Sequence, residues 1–78
     1  GRYGIRVNAI CPGGIMGHIK GKKISQSKKF IKNYCDRTPL NRLANSKEIS
    51  PAVAFFASDL SSYITGVHLM IDGGWTAT

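Results

Sequence analysis

The hydrophobic and polar pattern at the start of the chain favours a β-strand. The residues from Ile5 to Ile10 are mostly apolar, and only Arg6 and Asn8 interrupt them, which predicts a strand over these six positions. Pro12 lacks the N–H needed for a ladder bond, so we expect it to end the strand. Gly13-Gly14 permit backbone angles that other residues avoid, and a turn should therefore follow the strand.

A lysine-rich segment separates this turn from the first predicted helix. Residues 14–23 contain three glycines and no hydrophobic period, and we expect a mobile loop there. Between residues 24 and 35 the apolar residues recur at helical spacing, with lysines on the opposite face. This pattern predicts one amphipathic helix, which Thr38-Pro39 ends. Its apolar stripe consists of Ile24, Phe30, Ile31, Tyr34 and Cys35.

A second predicted helix follows a capping signal. Asn45 and Glu48 have the spacing of a capping box, and the helix should end near Ser58-Asp59. Pro51 inside the helix would cost about 3 kcal/mol, but that cost vanishes if the helix begins near Pro51 with Ser50 as its N-cap. The predicted buried face consists of Ile49, Val53, Phe56 and Ala57.

A second predicted strand completes the order strand–loop–helix–helix–strand. Residues 61–66 form a predicted turn into the strand Val67 to Ile71, which Asp72-Gly73-Gly74 closes. Two strands joined by a helical crossover pair in parallel, and parallel sheets need cover on both faces. Two strands and two helices cannot provide that cover. We therefore predict an α/β chain with parallel strands that is incomplete as a domain.

Composition gives little support to a nucleic-acid or membrane function. The formal charge is +7, from 11 Lys and Arg against 4 Asp and Glu, and six of these cations are lysines between Lys20 and Lys32. A solvated helix face beside a loop explains that cluster more simply than a nucleic-acid site. No apolar run approaches the roughly 20 residues that span a bilayer. Cys11 and Cys35 lack the spacing of a zinc site or a disulfide framework, which favours a reducing compartment.

Four runs of residues, in this order, resemble the short-chain dehydrogenase/reductase family. Tyr3-Gly4-Ile5-Arg6-Val7-Asn8-Ala9-Ile10-Cys11-Pro12-Gly13 resembles the family's sixth strand and its Pro-Gly turn. Pro39-Leu40-Asn41-Arg42 resembles its Pro-x-x-Arg connector, and residues 48–59 resemble its last large helix. Tyr63-Ile64-Thr65-Gly66 and the residues up to Ile71-Asp72-Gly73-Gly74 resemble the turn into the seventh strand and its Asp-Gly-Gly ending. Only residues 17–37 carry no family motif.

The resemblance implies the C-terminal portion of a doubly wound Rossmann fold. Residues 1–78 would form the C-terminal part of a single NAD(P)-binding domain. The implied activity is hydride transfer between NAD or NADP and a small alcohol or carbonyl substrate, such as a 3-oxoacyl, sugar or other hydroxy compound. The family's catalytic Ser, Tyr and Lys would precede residue 1, so we expect this chain alone to be inactive. The resemblance also implies a cytoplasmic homotetramer formed through the last helix and strand, with contributions from Phe55, Leu69 and Trp75.

The resemblance also assigns candidate site residues. The backbone of Pro12 and Gly13 would line the nicotinamide, in keeping with ligand binding at the carboxyl ends of parallel strands. Ile15 would offer its backbone groups to the nicotinamide carboxamide. Where the family has a threonine two residues further on, this chain has Gly17, which has no side chain to make the corresponding contact, and whether His18 substitutes for it is left open by the sequence. Met16, Gly17 and His18 are candidates for the loop that contacts substrate.

Two other classes of function remain open from the sequence. One is a basic nucleic-acid-binding mini-domain that uses the lysines between Lys20 and Lys32; it would need aromatic residues among the cations, and Phe30 and Tyr34 fit a helix core better. The other is a non-catalytic, truncated oligomerisation fragment. Within the enzyme interpretation, Lys20, Lys22 and Lys23 suggest an acidic substrate, such as a carboxylate.

Overall fold

The computed structural model describes residues 1–17 and 26–78. Two parallel strands, β1 (Ala9–Pro12) and β2 (His68–Ile71), form the sheet, and between them lie the helices α1 (Lys28–Asp36) and α2 (Ser50–Ala57). The register pairs Ala9 with His68 and Pro12 with Ile71. The predicted order of strands and helices and the parallel pairing are therefore confirmed, whereas residues 18–23 of the predicted loop lie outside the described residues.

The first strand begins and ends later than predicted. Before it, Asn8 lies next to the start of β1, where its side chain donates to Ile64 C=O at 3.0 Å and accepts from Val67 N–H at 3.1 Å. These side-chain bonds take the place of backbone ladder bonds, so the prediction of a strand from Ile5 to Ile10 was wrong at both ends. Pro12 belongs to β1 because the adjacent ladder bond runs from Gly13 N–H to Ile71 C=O at 2.9 Å. The pairing of Pro12 with Ile71 therefore does not require the backbone N–H that proline lacks.

Helix α1 has a serine cap and a buried threonine at its two ends. Ser27 accepts from Phe30 N–H at 3.1 Å at the start, a common N-cap contact. At the other end Thr38, which is buried, donates to Tyr34 C=O at 2.8 Å. The predicted end at Thr38-Pro39 is correct to within two residues, whereas Ile24 lies outside the described residues. Phe30 is 49% exposed, so the prediction that it belongs to the buried stripe was wrong.

The predicted capping box is present. The helix after it begins next to Pro51, which is the second of the two predicted alternatives. Glu48 Oε2 accepts from Asn45 N–H at 2.8 Å, and Asn45 Oδ1 accepts from Lys47 N–H at 2.9 Å. This box caps a short 3₁₀ turn, Ser46–Glu48, and α2 follows with Pro51 in its first turn. Because a proline in the first turn forfeits no helical hydrogen bond, Pro51 does not destabilise α2. Ile49 occupies the N-cap position, so the assignment of that role to Ser50 was wrong.

The two helices leave much apolar surface uncovered by the described residues. Among these residues, Leu43 is the one hydrophobic side chain that is buried. Val53 is 54% exposed and Ala57 is exposed, which contradicts their predicted burial. Together with Phe56 they line an open groove of 380 Å³, whose other wall is formed by side chains from residues 6–10. The predicted buried face of α2 therefore faces a groove that the described residues do not fill.

Candidate functional site

The carboxyl ends of β1 and β2 bring two glycine-containing turns together. Residues 13–15 follow β1 and residues 72–74 follow β2 at the same edge of the sheet. Asp72 closes the second turn by accepting from Gly74 N–H at 3.1 Å and from Thr76 Oγ1 at 2.7 Å. The Thr76 hydroxyl and the backbone N–H groups hold the pKa of the Asp72 carboxyl below its ordinary value. Asp72 therefore acts as a turn residue, as predicted.

Gly13-Gly14 are required by close packing, and the expected unusual backbone angles are not found there. Among the described residues, the glycines with positive φ are Gly4, Gly66, Gly73 and Gly74. A Cβ atom on Gly13 would lie 2.8 Å from the Asp72 Cα. A Cβ atom on Gly14 would lie 2.7 Å from the Leu43 Cδ2 and from the Tyr34 ring. The two glycines therefore let the turn pack directly on the protein's own side chains.

Tyr34 of α1 makes the nearest of these contacts. Gly14 N–H donates to the Tyr34 phenol oxygen at 2.5 Å. The Tyr34 ring stacks on Trp75, with the ring centroids 4.6 Å apart and the planes 13° from parallel. The apolar pattern predicted Tyr34 only as part of a helix stripe and gave no sign of this role. No local pattern reveals it, because 20 positions separate the two bonded residues.

The backbone of Ile15 has one side paired and one side turned outward. Ile15 bridges Ala44 in parallel, through the bonds Met16 N–H to Ala44 C=O at 2.8 Å and Ala44 N–H to Gly14 C=O at 2.9 Å. In such a bridge the N–H and C=O of Ile15 itself point away from Ala44. Ile15 thus presents a donor and an acceptor next to each other at the end of β1.

A side-chain carboxamide already uses one of these two groups. Gln26 Nε2 donates to Ile15 C=O at 3.0 Å. Its Oε1 atom is buried and has no hydrogen-bond partner among residues 1–17 and 26–78. The backbone edge of Ile15 is therefore accessible to a planar carboxamide, which is the functional group that nicotinamide carries. The sequence analysis did not single out Gln26.

The remaining candidate residues lie on the exposed side of the turn. Met16 is 62% exposed, and a Cβ atom on Gly17 would have nothing within 4 Å among the described residues. A side chain larger than hydrogen would thus be accommodated at position 17. His18 and the lysines at positions 20, 22 and 23 lie outside the described residues.

A cavity of 560 Å³ opens beside the turn, on the face of the sheet opposite the groove along α2. Its lining includes the half-buried Cys11, a free thiol, and Met70, its partner in the ladder. Pro12, Gly13, Tyr34 and Trp75 complete the part nearest the turn. The cavity is largely apolar in its residues, which suits one face of a flat aromatic ligand.

Residues 1–17 and 26–78 contain neither a metal cluster nor a membrane-spanning helix. In these ranges no three His, Cys, Asp or Glu side chains are grouped so that they would hold a metal ion. In the same ranges no helix has the length and apolar character needed to cross a bilayer.

Comparison with known proteins identifies the family. A family model described as enoyl-(acyl carrier protein) reductase matches residues 1–76. The chain is 48% identical to a short-chain dehydrogenase from Leptospira borgpetersenii with bound NAD⁺, with a TM-score of 0.82 over 96% of this chain and 27% of that one. The chain therefore belongs to the short-chain dehydrogenase/reductase family.

Individual relatives extend the comparison to sugar chemistry. The chain is 40% identical over 77 residues to a 2-keto-3-deoxy-L-fuconate dehydrogenase from Xanthomonas campestris pv. campestris, covering 94% of this chain and 26% of the relative. It is similar in structure to a gluconate 5-dehydrogenase from Burkholderia cenocepacia in complex with NADP and tartrate, with 32% identity and a TM-score of 0.86 over 99% of this chain and 30% of that one. The chain thus spans between a quarter and a third of the length of these proteins.

Proposed function

We propose that this chain forms the nicotinamide end of the cofactor site in a longer NAD- or NADP-dependent oxidoreductase. The observation that carries the proposal is the outward-facing N–H and C=O pair of Ile15 at the carboxyl end of β1. Ligands in open parallel sheets bind at this edge. The neighbours with bound NAD⁺ and NADP support the choice of cofactor.

In this proposal the chain binds and orients the nicotinamide through backbone groups. Ile15 N–H donates to the carboxamide oxygen, and Ile15 C=O accepts from the carboxamide NH₂. The Gln26 carboxamide, which bonds to the same C=O at 3.0 Å, supports the chemical fit and must be displaced. Pro12 and Gly13 provide an apolar wall beside the ring, and Asp72 and Thr76, polar side chains of the cavity lining, are bonded to each other. The cofactor, when bound, supplies the hydride acceptor or donor.

We further propose that residues 1–78 are the C-terminal part of the Rossmann domain. The catalytic Ser, Tyr and Lys of the family would then be contributed by the part of the protein that precedes residue 1, and the chain alone would be inactive. This assignment rests on the match of Ile71-Asp72-Gly73-Gly74 and Pro12-Gly13 to the family's last two strand ends. A gene sequence without Tyr-x-x-x-Lys upstream of Gly1 would contradict it.

The substrate class that we propose is a sugar, sugar acid or polyol with a secondary alcohol or the matching carbonyl. The names of the relatives support this choice, since they include L-rhamnose 1-dehydrogenase (NAD(P)(+)) from Sphingomonas sp. and galactitol 2-dehydrogenase (L-tagatose-forming) from Cereibacter sphaeroides. A panel of aldoses, polyols and sugar acids, followed by absorbance of the reduced cofactor, tests it. Turnover of acyl thioesters in place of these compounds would contradict it.

For the assembly, we propose a homo-oligomer that uses α2 and β2. Phe55 and Leu69 are 38% and 37% exposed, which leaves apolar surface on both elements. Trp75, the third residue expected there, stacks on Tyr34 within the chain. The cytoplasmic location inferred from the sequence stays a prediction. A monomer mass of the full-length protein by light scattering would contradict the proposed assembly.

The decisive test of the cofactor proposal removes one backbone donor. Ile15→Pro in the full-length protein deletes the N–H that points away from Ala44, while Ile15→Val keeps it. We expect Ile15→Pro to weaken NAD(P)H binding about 3- to 10-fold, the range for one hydrogen bond, and Ile15→Val to leave it unchanged. Titration of the reduced-cofactor fluorescence measures both. Equal affinities in the two variants would contradict the assignment of Ile15.

A further inference from the structure

The turn after β1 consists of two consecutive peptide groups that are held by different partners. The peptide between Gly13 and Gly14 has its N–H bonded to the Tyr34 phenol oxygen at 2.5 Å. The peptide between Gly14 and Ile15 has its C=O bonded to Ala44 N–H at 2.9 Å. Peptide groups are planar and trans, so the second bond directs Ile15 N–H to the opposite side. The first bond fixes the orientation of the Gly13–Gly14 peptide, to which the Gly14–Ile15 peptide is joined.

The Tyr34 ring is itself held in place on one face and at one edge. One face stacks on Trp75 at 4.6 Å between centroids, and the ring edge meets Gly14, where a Cβ atom would lie 2.7 Å away. The backbone of Tyr34 is fixed as well, because its C=O accepts from the buried Thr38 hydroxyl at 2.8 Å. A hydroxyl on an immobilised ring is a better anchor than one on a flexible chain, since little rotamer entropy is lost when the bond forms.

The end of α1 is also attached to the turn after β2. Leu40 N–H donates to Gly73 C=O at 3.1 Å, and a Cβ atom on Gly73 would lie 2.7 Å from the Thr38 Cγ2. The segment from Tyr34 to Leu40 therefore bridges the carboxyl ends of both strands. Within this bridge, the Tyr34 hydroxyl is the group that reaches the β1 turn by a hydrogen bond.

We propose that Tyr34 is a positioning residue for the cofactor's nicotinamide end: its hydroxyl holds the Gly13–Gly14 peptide so that the Ile15 backbone pair faces the carboxamide. The proposal rests on the proposed function of Ile15. Without the hydroxyl, Gly14 N–H loses its acceptor in a half-buried position, and the turn gains freedom that cofactor binding must then remove. The ring itself, and with it the stack on Trp75, is retained in a phenylalanine variant.

The test compares two tyrosine-to-phenylalanine variants of the full-length protein. Tyr34→Phe removes the hydroxyl that holds the turn. Tyr63→Phe is the matched control, because Tyr63 is 102% exposed and the described residues give its hydroxyl no hydrogen bond. Each variant is titrated with NAD(P)H and with ADP-ribose, which lacks the nicotinamide and so cannot contact Ile15 through a carboxamide.

We expect Tyr34→Phe to raise the Kd for NAD(P)H about 3- to 10-fold, as for one hydrogen bond, with the Kd for ADP-ribose unchanged. Tyr63→Phe should change neither Kd. An unchanged NAD(P)H affinity in Tyr34→Phe would overturn the proposal while leaving the function of Ile15 intact. Equal weakening of both ligands would also overturn it, because a purely structural defect has that signature. A wild-type protein that binds ADP-ribose as tightly as NAD(P)H would instead refute the proposed function of Ile15, and this proposal with it.

Discussion

At the scale of single residues, the capping box joins near neighbours in the chain, whereas the bond from Gly14 N–H to the Tyr34 hydroxyl joins residues 20 positions apart. The capping box of Asn45 and Glu48 was predictable because its partners are three positions apart. The roles of Gly14 and Tyr34 were not, because their contact depends on how α1 folds back onto the end of β1. The sequence showed that glycine was needed after Pro12, but the physical reason is close packing and not backbone angle.

Glu48 combines the capping contact with an ion pair, and this makes it a source of pH-dependent stability. Arg42 donates to both of its carboxylate oxygens at 2.8 Å, and Asn45 N–H donates to one of them. The bonds from Arg42 and then from the Asn45 backbone lower the pKa of Glu48 from 4.5 to about 2. A carboxyl with a lowered pKa in the folded state stabilises that state above its unfolded pKa, and the contribution is lost as the pH falls towards the folded value.

We therefore expect Glu48→Gln to change the acid dependence of folding stability in the full-length protein. The wild type should exceed the variant in urea midpoint above pH 5, and the difference should shrink between pH 4.5 and pH 2. Arg42→Met should reduce the pH dependence without abolishing it, because the Asn45 N–H still favours the ionised carboxyl. Parallel stability curves for wild type and Glu48→Gln over this range would contradict the assigned role.

At the scale of elements, helix order and strand pairing were predictable, whereas strand boundaries and buried faces were not. Hydrophobic periodicity located α2 and β2 to within one or two residues. The start of β1 was misplaced because Asn8 replaces ladder bonds with side-chain bonds, which no apolar pattern records. The face of α2 with Val53 was predicted to be buried from periodicity alone, and periodicity cannot say whether a partner surface is present.

Arg6 links the segment before β1 to the end of α2. Its guanidinium donates to Phe56 C=O at 2.9 Å, to Ser58 C=O at 3.3 Å and to Ile64 C=O at 3.2 Å. The first two carbonyls belong to the carboxyl end of the helix, where a positive charge is favourable. One side chain thus fastens the last turn of α2 and the turn that leads into β2.

We expect Arg6→Met to lower the free energy of unfolding of the full-length protein by about 1–2 kcal/mol, the value for charged hydrogen bonds to partly exposed carbonyls. Arg37→Met provides the control, because Arg37 is exposed and its side chain makes no hydrogen bond to the described residues. Urea denaturation gives both values. A loss in Arg6→Met no larger than that in Arg37→Met would show that these three contacts contribute little.

At the scale of the whole molecule, the chain has the dimensions of a slab and not of a compact domain. Its radius of gyration is 15.4 Å and its extents are 49 × 32 × 15 Å, whereas a compact domain of this length has a radius of gyration of about 11–12 Å. Apolar residues on the outside, including Ile5, Val7, Leu60 and Met70, are those that a further layer or neighbouring strands would cover.

The isolated 78-residue chain should therefore lack cooperative folding. With Leu43 as the one buried hydrophobic side chain in the described part, apolar burial is too small to offset a backbone entropy cost of about 1–2 kcal/mol per ordered residue. We expect gradual thermal unfolding by circular dichroism, binding of a hydrophobic dye, and solvent-exposed emission from Trp75, the only tryptophan in the sequence. The same segment within the full-length protein is the control, observed by hydrogen exchange of the β1 and β2 amides. A sharp transition of the isolated chain that coincides in the far and near ultraviolet would contradict the prediction, because it would mean that these two strands and two helices form a cooperative unit without further cover.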